Sequence, residues 1–338
     1  MVIGMENTLW NEKYRPMTLD EVIGQRSAVA DFKGLVKKIH EGKSELPHIL
    51  MYGKPGVGKT TLALAFLRSA FGDAWKINYH NLNASTDGSV DTVRTKISEW
   101  VKQSTIGTYT TPQGKEMTLP FNIIFMDEFD YGSANYQAAL RVVMEKYSDN
   151  TRFIISCNYV HKVLEPIRDR CLNVRCIPLT NSDITEIVQN IAKKEDMTIT
   201  TDALQKIVSA SNGSARKCQN LLYQASLRGD DITGEDITVT IEKFDINKLF
   251  EAVRANRSDD MEFYIKTYND FDAYINSLVR SGITGSEIIE MIAKAIDESE
   301  IEVNHKRYFF KELGEAQYRG GFVNDDALFI KLFSRRLG

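Results

Sequence analysis

A chain of 338 residues and 38.4 kDa exceeds what one hydrophobic core usually serves, so two or three domains are expected. Hydrophobic residues make up 43% and charged residues 26%, the balance of an ordinary globular protein, and no run of eighteen apolar residues exists to form a membrane-spanning helix. A formal net charge of −4 excludes a uniformly basic coat for nucleic acid but leaves room for a local basic patch.

In chain order, MVIGMENTLWNEKYRP (1–16) lacks an apolar core followed by a cleavage site and is not expected to act as a secretory signal. HILMYG (48–53) is a short apolar run ending in Gly, expected as a buried parallel strand, and KTTLALAFLRSAF (59–71) has helical periodicity. WKINYHNLN is expected as a second strand, DTVRTKISEWVKQ as a helix, FNIIFMDEFD as a third strand, NYQAALRVVMEKY as a helix and TRFIISCN as a fourth strand. Apolar strands alternating with helices predict a parallel sheet covered on both faces. The Thr-rich segment 104–120, with Pro112-Gln113-Gly114 as a turn, is expected to be an exposed, accessory hairpin or loop. After RCIPLT the strands are expected to stop. Three short amphipathic helices follow, two of them capped by Asn181 or Ser182 and by Thr201 or Asp202, and from about Asp245 only helical patterns remain. The expected domains are 1–178 (α/β, nucleotide-binding), 179–243 (helical) and 244–338 (all-helical). Cys157, Cys171, Cys176 and Cys218 show no C-x-x-C spacing, which argues against a zinc site and suits a reducing, cytoplasmic setting.

The segment GKPGVGKTT (53–61) fits G-x-x-x-x-G-K-[ST] between a strand and a helix. Gly53, Gly56 and Gly58 let the backbone wrap a phosphate, Lys59 supplies charge for the β and γ phosphates, and the Thr60 hydroxyl can ligate Mg²⁺. IIFMDEFD places Asp127 at a strand end, where it can hold Mg²⁺ through water, and Glu128 beside it as a general base. Asn158 ends the next strand and can hold attacking water or γ-phosphate. Arg168 and Arg170 in PIRDRC are candidates for an arginine finger acting on a neighbouring subunit. Arg216, near the start of a helix in GSARKCQNLL, can reach back toward the phosphates.

These residues resemble the small subunits of replication factor C, the sliding-clamp loaders among AAA+ ATPases, along nearly the whole chain. LWNEKYRPMTLDEVIGQ (9–25) resembles the family's N-terminal box, GKPGVGKTT its Walker A loop and MDEFD its Walker B element, D-E-x-D. SANYQAALRVVMEKY resembles its helix A-Q-x-A-L-R-R-x-M-E, SCN sensor 1, PIRDRC the Ser-Arg-Cys finger motif and GSARKCQNLLYQA sensor 2, and GEAQYRGGFVNDDALFIKLF resembles its last collar helices. The resemblance implies an AAA+ P-loop fold with a helical lid and collar, and ATP hydrolysis that loads a sliding clamp onto primer–template DNA. It implies a pentameric ring with a larger subunit and further copies of this chain, at a replication fork in the cytoplasm or nucleus. Tyr14, Arg15, Pro16 and Ile23 would cradle adenine and ribose, and Pro55, Val57 and Thr61 would complete the phosphate loop with Gly53, Gly56, Gly58, Lys59 and Thr60. Lys59, Asp127, Glu128, Asn158 and Arg216 would serve catalysis within the chain, and Arg170 would serve its neighbour. Lys33, Lys37, Lys38, Arg94, Lys96 and Arg141 would meet DNA phosphates, and Gln137 would couple DNA to catalysis. Three departures stand out: Asp169 precedes Arg170 where the family has Ser, Gly88 stands where a DNA-contacting Arg is expected, and Val142 replaces a second Arg. A branch-migration motor, a replication initiator and a non-hydrolysing clamp-loader stator remain as other readings. The missing wing pattern disfavours an initiator, and the intact Lys59, Asp127 and Glu128 disfavour a stator.

Overall fold

A computed structural model describes residues 9–43, 46–237, 245–255, 260–280 and 285–320. The chain divides into two compact units, Met1–Val239 and Thr240–Gly338. The first unit is built on a parallel five-stranded sheet. Its strands are β1 (His48–Tyr52), β2 (Tyr79–Asn83), β5 (Asn122–Asp127), β6 (Thr151–Cys157) and β7 (Cys171–Arg175), in the spatial order β2-β5-β6-β1-β7. Register follows from alternation. Ile49, Met51, Ile123, Phe125 and Ile154 point into the core under helices Arg26–His40 and Lys59–Phe71. Leu50, Ile124, Met126, Phe153 and Ile155 point into the opposite core under helix Ala134–Lys146. Both faces are therefore buried, as the apolar strands require.

Four of the five strands agree with the expectation. The edge strand β7 differs, because its buried residue is Val174 while Asn173 and Arg175 face outward, a pattern too short and polar to stand out. WKINYHNLN is a strand only over β2, since Gly72–Lys76 forms a 3₁₀ turn that packs Trp75 edge-on against Tyr79, with ring centroids 4.9 Å apart. The helix expected at 91–103 runs from Val90 to Trp100 and passes through a π turn at Val93–Ile97.

Residues 108–118 form an antiparallel hairpin of β3 (Thr108–Thr110) and β4 (Glu116–Thr118), with Gly114 in the left-handed region at φ +77°. Its turn is exposed, but its root is not. Tyr109 is buried edge-on against Phe71 at 5.3 Å, its hydroxyl donates to the Ile39 carbonyl at 3.4 Å, and Leu119 joins the same core. The hairpin is therefore packed into the sheet's core rather than merely attached to the surface.

Helices Asn181–Lys194, Thr201–Ser211 and Ala215–Ser226 share a separate core of Ile184, Val188, Ile207, Cys218 and Leu222. Their caps sit one residue earlier than expected. Thr180 and Asp183 form a reciprocal capping box, and the Thr200 hydroxyl accepts from the Ala203 N–H. Strand pairing does not stop at RCIPLT either: β8 (Thr198–Ile199) and β9 (Asp231–Ile232) pair in parallel over two residues. The N-terminal turn Trp10–Lys13 also packs on these helices, with Trp10 edge-on to Tyr223 at 5.2 Å.

In the second unit, helices Ile246–Ala255, Met261–Arg280, Gly285–Glu298 and Val303–Gly320 close on Leu249, Phe271, Ile275, Ile288, Ile292 and Leu313. The expected boundary at 243 and the tail resemblance beyond residue 320 lie outside the described residues. Among the described residues no helix is long and apolar enough to cross a membrane.

Candidate nucleotide site

The site lies at the carboxyl ends of β1, β5 and β6, where a parallel sheet opens its crevice. The loop after β1 is shaped by glycines. A Cβ on Gly53 would stand 2.1 Å from the Cys176 carbonyl oxygen, and Gly56 holds φ +76°. Helix Lys59–Phe71 then begins with its free N–H groups facing the loop. Lys59 is buried to 9% exposure. Its ammonium donates to the Gly53 carbonyl at 2.8 Å, the Lys54 carbonyl at 3.0 Å and Asn158 Oδ1 at 2.8 Å, so all three protons are directed. Burial pulls its pKa below the ordinary lysine value, against the opposing pull of Cys176 and Asp127.

Asp127 gathers three donors. The Thr60 hydroxyl donates to Oδ2 at 3.1 Å, the Glu128 N–H to Oδ1 at 2.9 Å, and the Ser156 hydroxyl, fully buried on β6, also to Oδ1. Glu128 adopts left-handed backbone geometry at φ +53°, rare for a residue with a Cβ and concentrated at functional sites. Asp130 closes the group from below. Its two carboxylate oxygens accept from the backbone N–H groups of Asn158 (3.2 Å) and Tyr159 (3.1 Å), fixing the turn that presents the Asn158 amide to Lys59.

The helical set meets the loop directly. The Ala215 N–H donates to the Gly56 carbonyl at 3.0 Å, and a Cβ on Gly56 would come within 2.1 Å of Ser214 Oγ and 3.5 Å of Arg216 Cβ. Arg216 therefore starts its helix beside the phosphate loop. Gln25 sews the N-terminal box to the same place: its amide donates to the Val57 carbonyl at 3.2 Å and the Ile177 carbonyl at 2.6 Å, and accepts from the Ile177 N–H at 3.0 Å. The Val57 side chain is buried in the core, while Pro55 is exposed and Thr61 half-buried. In the same box, the Tyr14 hydroxyl and Arg15 Nε are buried without a partner, and the Pro16 carbonyl accepts from Arg68 at 3.4 Å. Ile23 is half-buried. The glycine cradle and the directed lysine suit a phosphorylated ligand, and the two orphaned polar atoms leave the N-terminal box with hydrogen-bonding capacity unmet.

Arg170 is not brought to this cluster. It is exposed, with Nη1 donating to the Pro166 carbonyl at 2.6 Å and Nη2 to Glu145. Gln137, by contrast, is 2% exposed. Its amide donates to the Gly132 carbonyl (3.1 Å) and the Lys162 carbonyl (3.0 Å) and accepts from the Leu164 N–H (2.8 Å). Among the expected basic contacts, Lys33 pairs with Asp20 at 2.5 Å, Lys96 with Asp87 at 2.8 Å and Arg141 with Glu145 at 3.9 Å, while Lys37 and Arg94 are exposed. Gly88 has a steric reason: a Cβ there would lie 2.2 Å from the Ala84 carbonyl oxygen. Val142 is 52% exposed.

Sequence reasoning assigned no role to Ser156, Asp130, Gln25 or Glu145. Asp130 and Gln25 were visible as the last letters of D-E-x-D and of the N-terminal box. Glu145 was visible as the last letter of A-Q-x-A-L-R-R-x-M-E and Ser156 as the first letter of SCN, but neither motif said what its side chain would touch.

The model of the ATPase family associated with various cellular activities (AAA) matches residues 49–179, and that of the Holliday junction DNA helicase RuvB P-loop domain matches residues 14–77. The replication factor C small subunit of Archaeoglobus fulgidus is 35% identical over 93% of this chain and 92% of its own length. That of Methanoculleus marisnigri is 35% identical over 93% and 91%, and that of Methanococcus maripaludis 32% identical over 92% and 92%. Among solved structures, the Thermotoga maritima RuvB Holliday junction branch migration motor superposes with a TM-score of 0.57 at 19% identity, covering 78% of this chain and 85% of its own. At that identity the likeness is one of fold.

Proposed function

The chain belongs to the replication factor C small-subunit family, AAA+ ATP hydrolases of the sliding-clamp loader, and from that membership we propose how its residues divide the work. The observation that carries the proposal is the convergence of Lys59, Thr60, Asp127 and Asn158, with the start of helix Ala215–Ser226 against Gly56.

The loop N–H groups and Lys59 bind the β and γ phosphates, and the three directed bonds of Lys59 are exchanged for phosphate oxygens. Thr60 and Asp127 would hold Mg²⁺, which neutralises phosphate charge. Glu128 takes the proton of the water that attacks the γ-phosphorus, Asn158 aligns that water, and ADP leaves on the opposite side. Arg216 contacts the phosphates from the helical lid (179–243), and Tyr14, Arg15, Pro16 and Ile23 line the nucleoside side. Arg170 reaches the γ-phosphate of a neighbouring subunit. Lys33, Lys37, Arg94, Lys96 and Arg141 meet DNA backbone phosphates without reading sequence, and Gln137 carries that contact to the Walker B turn. The partners are a ring-shaped clamp, primer–template DNA, a larger subunit and further copies of this chain, joined in a pentamer through the helices of 244–338.

Steady-state ATPase of the assembled ring, with and without clamp and primed DNA, tests the reading. Strong stimulation by the two together is expected. Stimulation by four-way junction DNA alone would instead favour a branch-migration motor.

A further inference from the structure

We infer that Glu145 is a positioning residue that sets the orientation of Arg170 and links it to Arg141. The inference rests on the proposed role of Arg170 as a finger acting across a subunit boundary. Glu145 lies in the last turn of helix Ala134–Lys146, and its Oε1 accepts from Arg170 Nη2 while standing 3.9 Å from Arg141 Nε. One carboxylate thus faces two guanidiniums, one from its own helix and one from the segment after β6. Arg170 is held at a second point by the Pro166 carbonyl at 2.6 Å. With one donor of each terminal nitrogen engaged, the remaining N–H groups of the fork are left to point elsewhere.

The same helix is tied to the same segment at a second place. Gln137 holds the Lys162 carbonyl and the Leu164 N–H, just ahead of the turn Glu165–Arg168 that leads to Arg170. Gln137 and Glu145 are eight residues apart, about two helical turns or roughly 12 Å along the axis. The helix and the finger segment are thus joined at two places. The first attachment is buried, and the second is exposed to solvent, with side-chain exposures of 38% for Arg170 and 43% for Glu145.

That contrast defines the device. An exposed ion pair is weak enough to be remade, and Glu145 is shared between Arg141 and Arg170. When Arg141 turns to a phosphate of the DNA backbone, a stronger bidentate partner, Glu145 is left to Arg170 alone and its guanidinium is held more firmly. DNA occupancy is thereby converted into finger orientation by a single carboxylate.

The test uses the assembled ring with primed DNA and clamp, comparing Arg170→Ala, Glu145→Ala, Glu145→Gln and the double variant Glu145→Ala/Arg170→Ala. Glu145→Ala should lower DNA-stimulated kcat about fivefold, the fold-change that corresponds to about 1 kcal/mol, the upper end for an exposed pair. KM for ATP and the thermal midpoint should hold. Glu145→Gln, which keeps an acceptor for Arg170 but not the charge, should recover part of the loss. In the Arg170→Ala background the Glu145 change should have no further effect. If Arg170→Ala slows the ring but Glu145→Ala does not, or if Glu145→Ala costs the same factor with Arg170 absent, the positioning role is wrong and the finger stands. If Arg170→Ala leaves the ring's rate unchanged, the finger reading fails and this inference with it.

Discussion

Lys59 and Arg170 are both cations proposed to meet γ-phosphate, yet they occupy opposite environments. Lys59 is enclosed and held by three oxygens, whereas Arg170 stands in solvent on Pro166 and Glu145. Lys59→Ala should therefore abolish ATP binding, measured by fluorescent-nucleotide titration. Arg170→Ala should keep that binding and lower the kcat of the ring by about 10³-fold or more, the scale of an arginine finger. A second residue-scale expectation concerns His48 at the start of β1. Burial first, and then the Arg152 cation, pushes its pKa down to about 4, and its Nδ1 accepts from the Phe153 N–H at 3.1 Å. The unfolded chain binds this proton near pH 6.5 and the folded chain only near pH 4, so stability from the neutral ring is complete above pH 6.5. It drains away as pH falls toward 4, amounting to about 2 kcal/mol by pH 5. Urea unfolding of wild type and His48→Gln at pH 7 and pH 5 measures it: the wild type should lose that much more than the variant, and parallel losses would exclude His48 as the cause.

At the scale of elements, the hairpin and the helix after Walker B were both legible as elements, but their attachments were not. Thr108, Thr110 and the Pro-Gln-Gly turn read as strand and turn, yet only packing showed that Tyr109 fills a place beside Phe71. Tyr109→Ala should cost about 3 kcal/mol in chemical unfolding, because a large aromatic leaves a cavity that the sheet cannot close. Deletion of 106–117 should unfold at lower denaturant for the same reason, while substitutions in the turn at Gln113 should be neutral. Gln137 reads from sequence as one polar residue on an amphipathic helix. In the fold it is enclosed and makes three bonds, so Gln137→Ala strands two carbonyls and an N–H. The expected result is a loss of about 1–3 kcal/mol, together with a lower ratio of DNA-stimulated to unstimulated ATPase. An unchanged ratio would leave Gln137 a purely structural residue.

At the scale of the whole molecule, Arg170 is bonded to Pro166 and Glu145 and not to the Lys59–Asp127–Asn158 cluster, so the finger role proposed for it calls for a second subunit. Mixing Arg170→Ala with Lys59→Ala protein should restore part of the activity, because some interfaces then pair an intact loop with an intact finger. A verified monomer hydrolysing ATP as fast as the ring would exclude the arrangement. What the sequence determined by itself was whatever depends on local order along the chain. The phosphate loop between strand and helix, the acidic pair at the end of an apolar strand, the alternation that demands a doubly covered sheet, and the three short helices that follow the sheet all belong there, since period and turn chemistry act over a few residues. Only the tertiary structure decided what depends on segments far apart in the chain. Asp130 clamps the backbone of Asn158, Ser156 donates to Asp127, Gln25 bridges Val57 and Ile177, and Glu145 accepts from Arg170. Each of these is a polar group satisfied by a partner from another element. Such a bond leaves no periodic trace in either segment, because it exists only when the sheet order brings the two together.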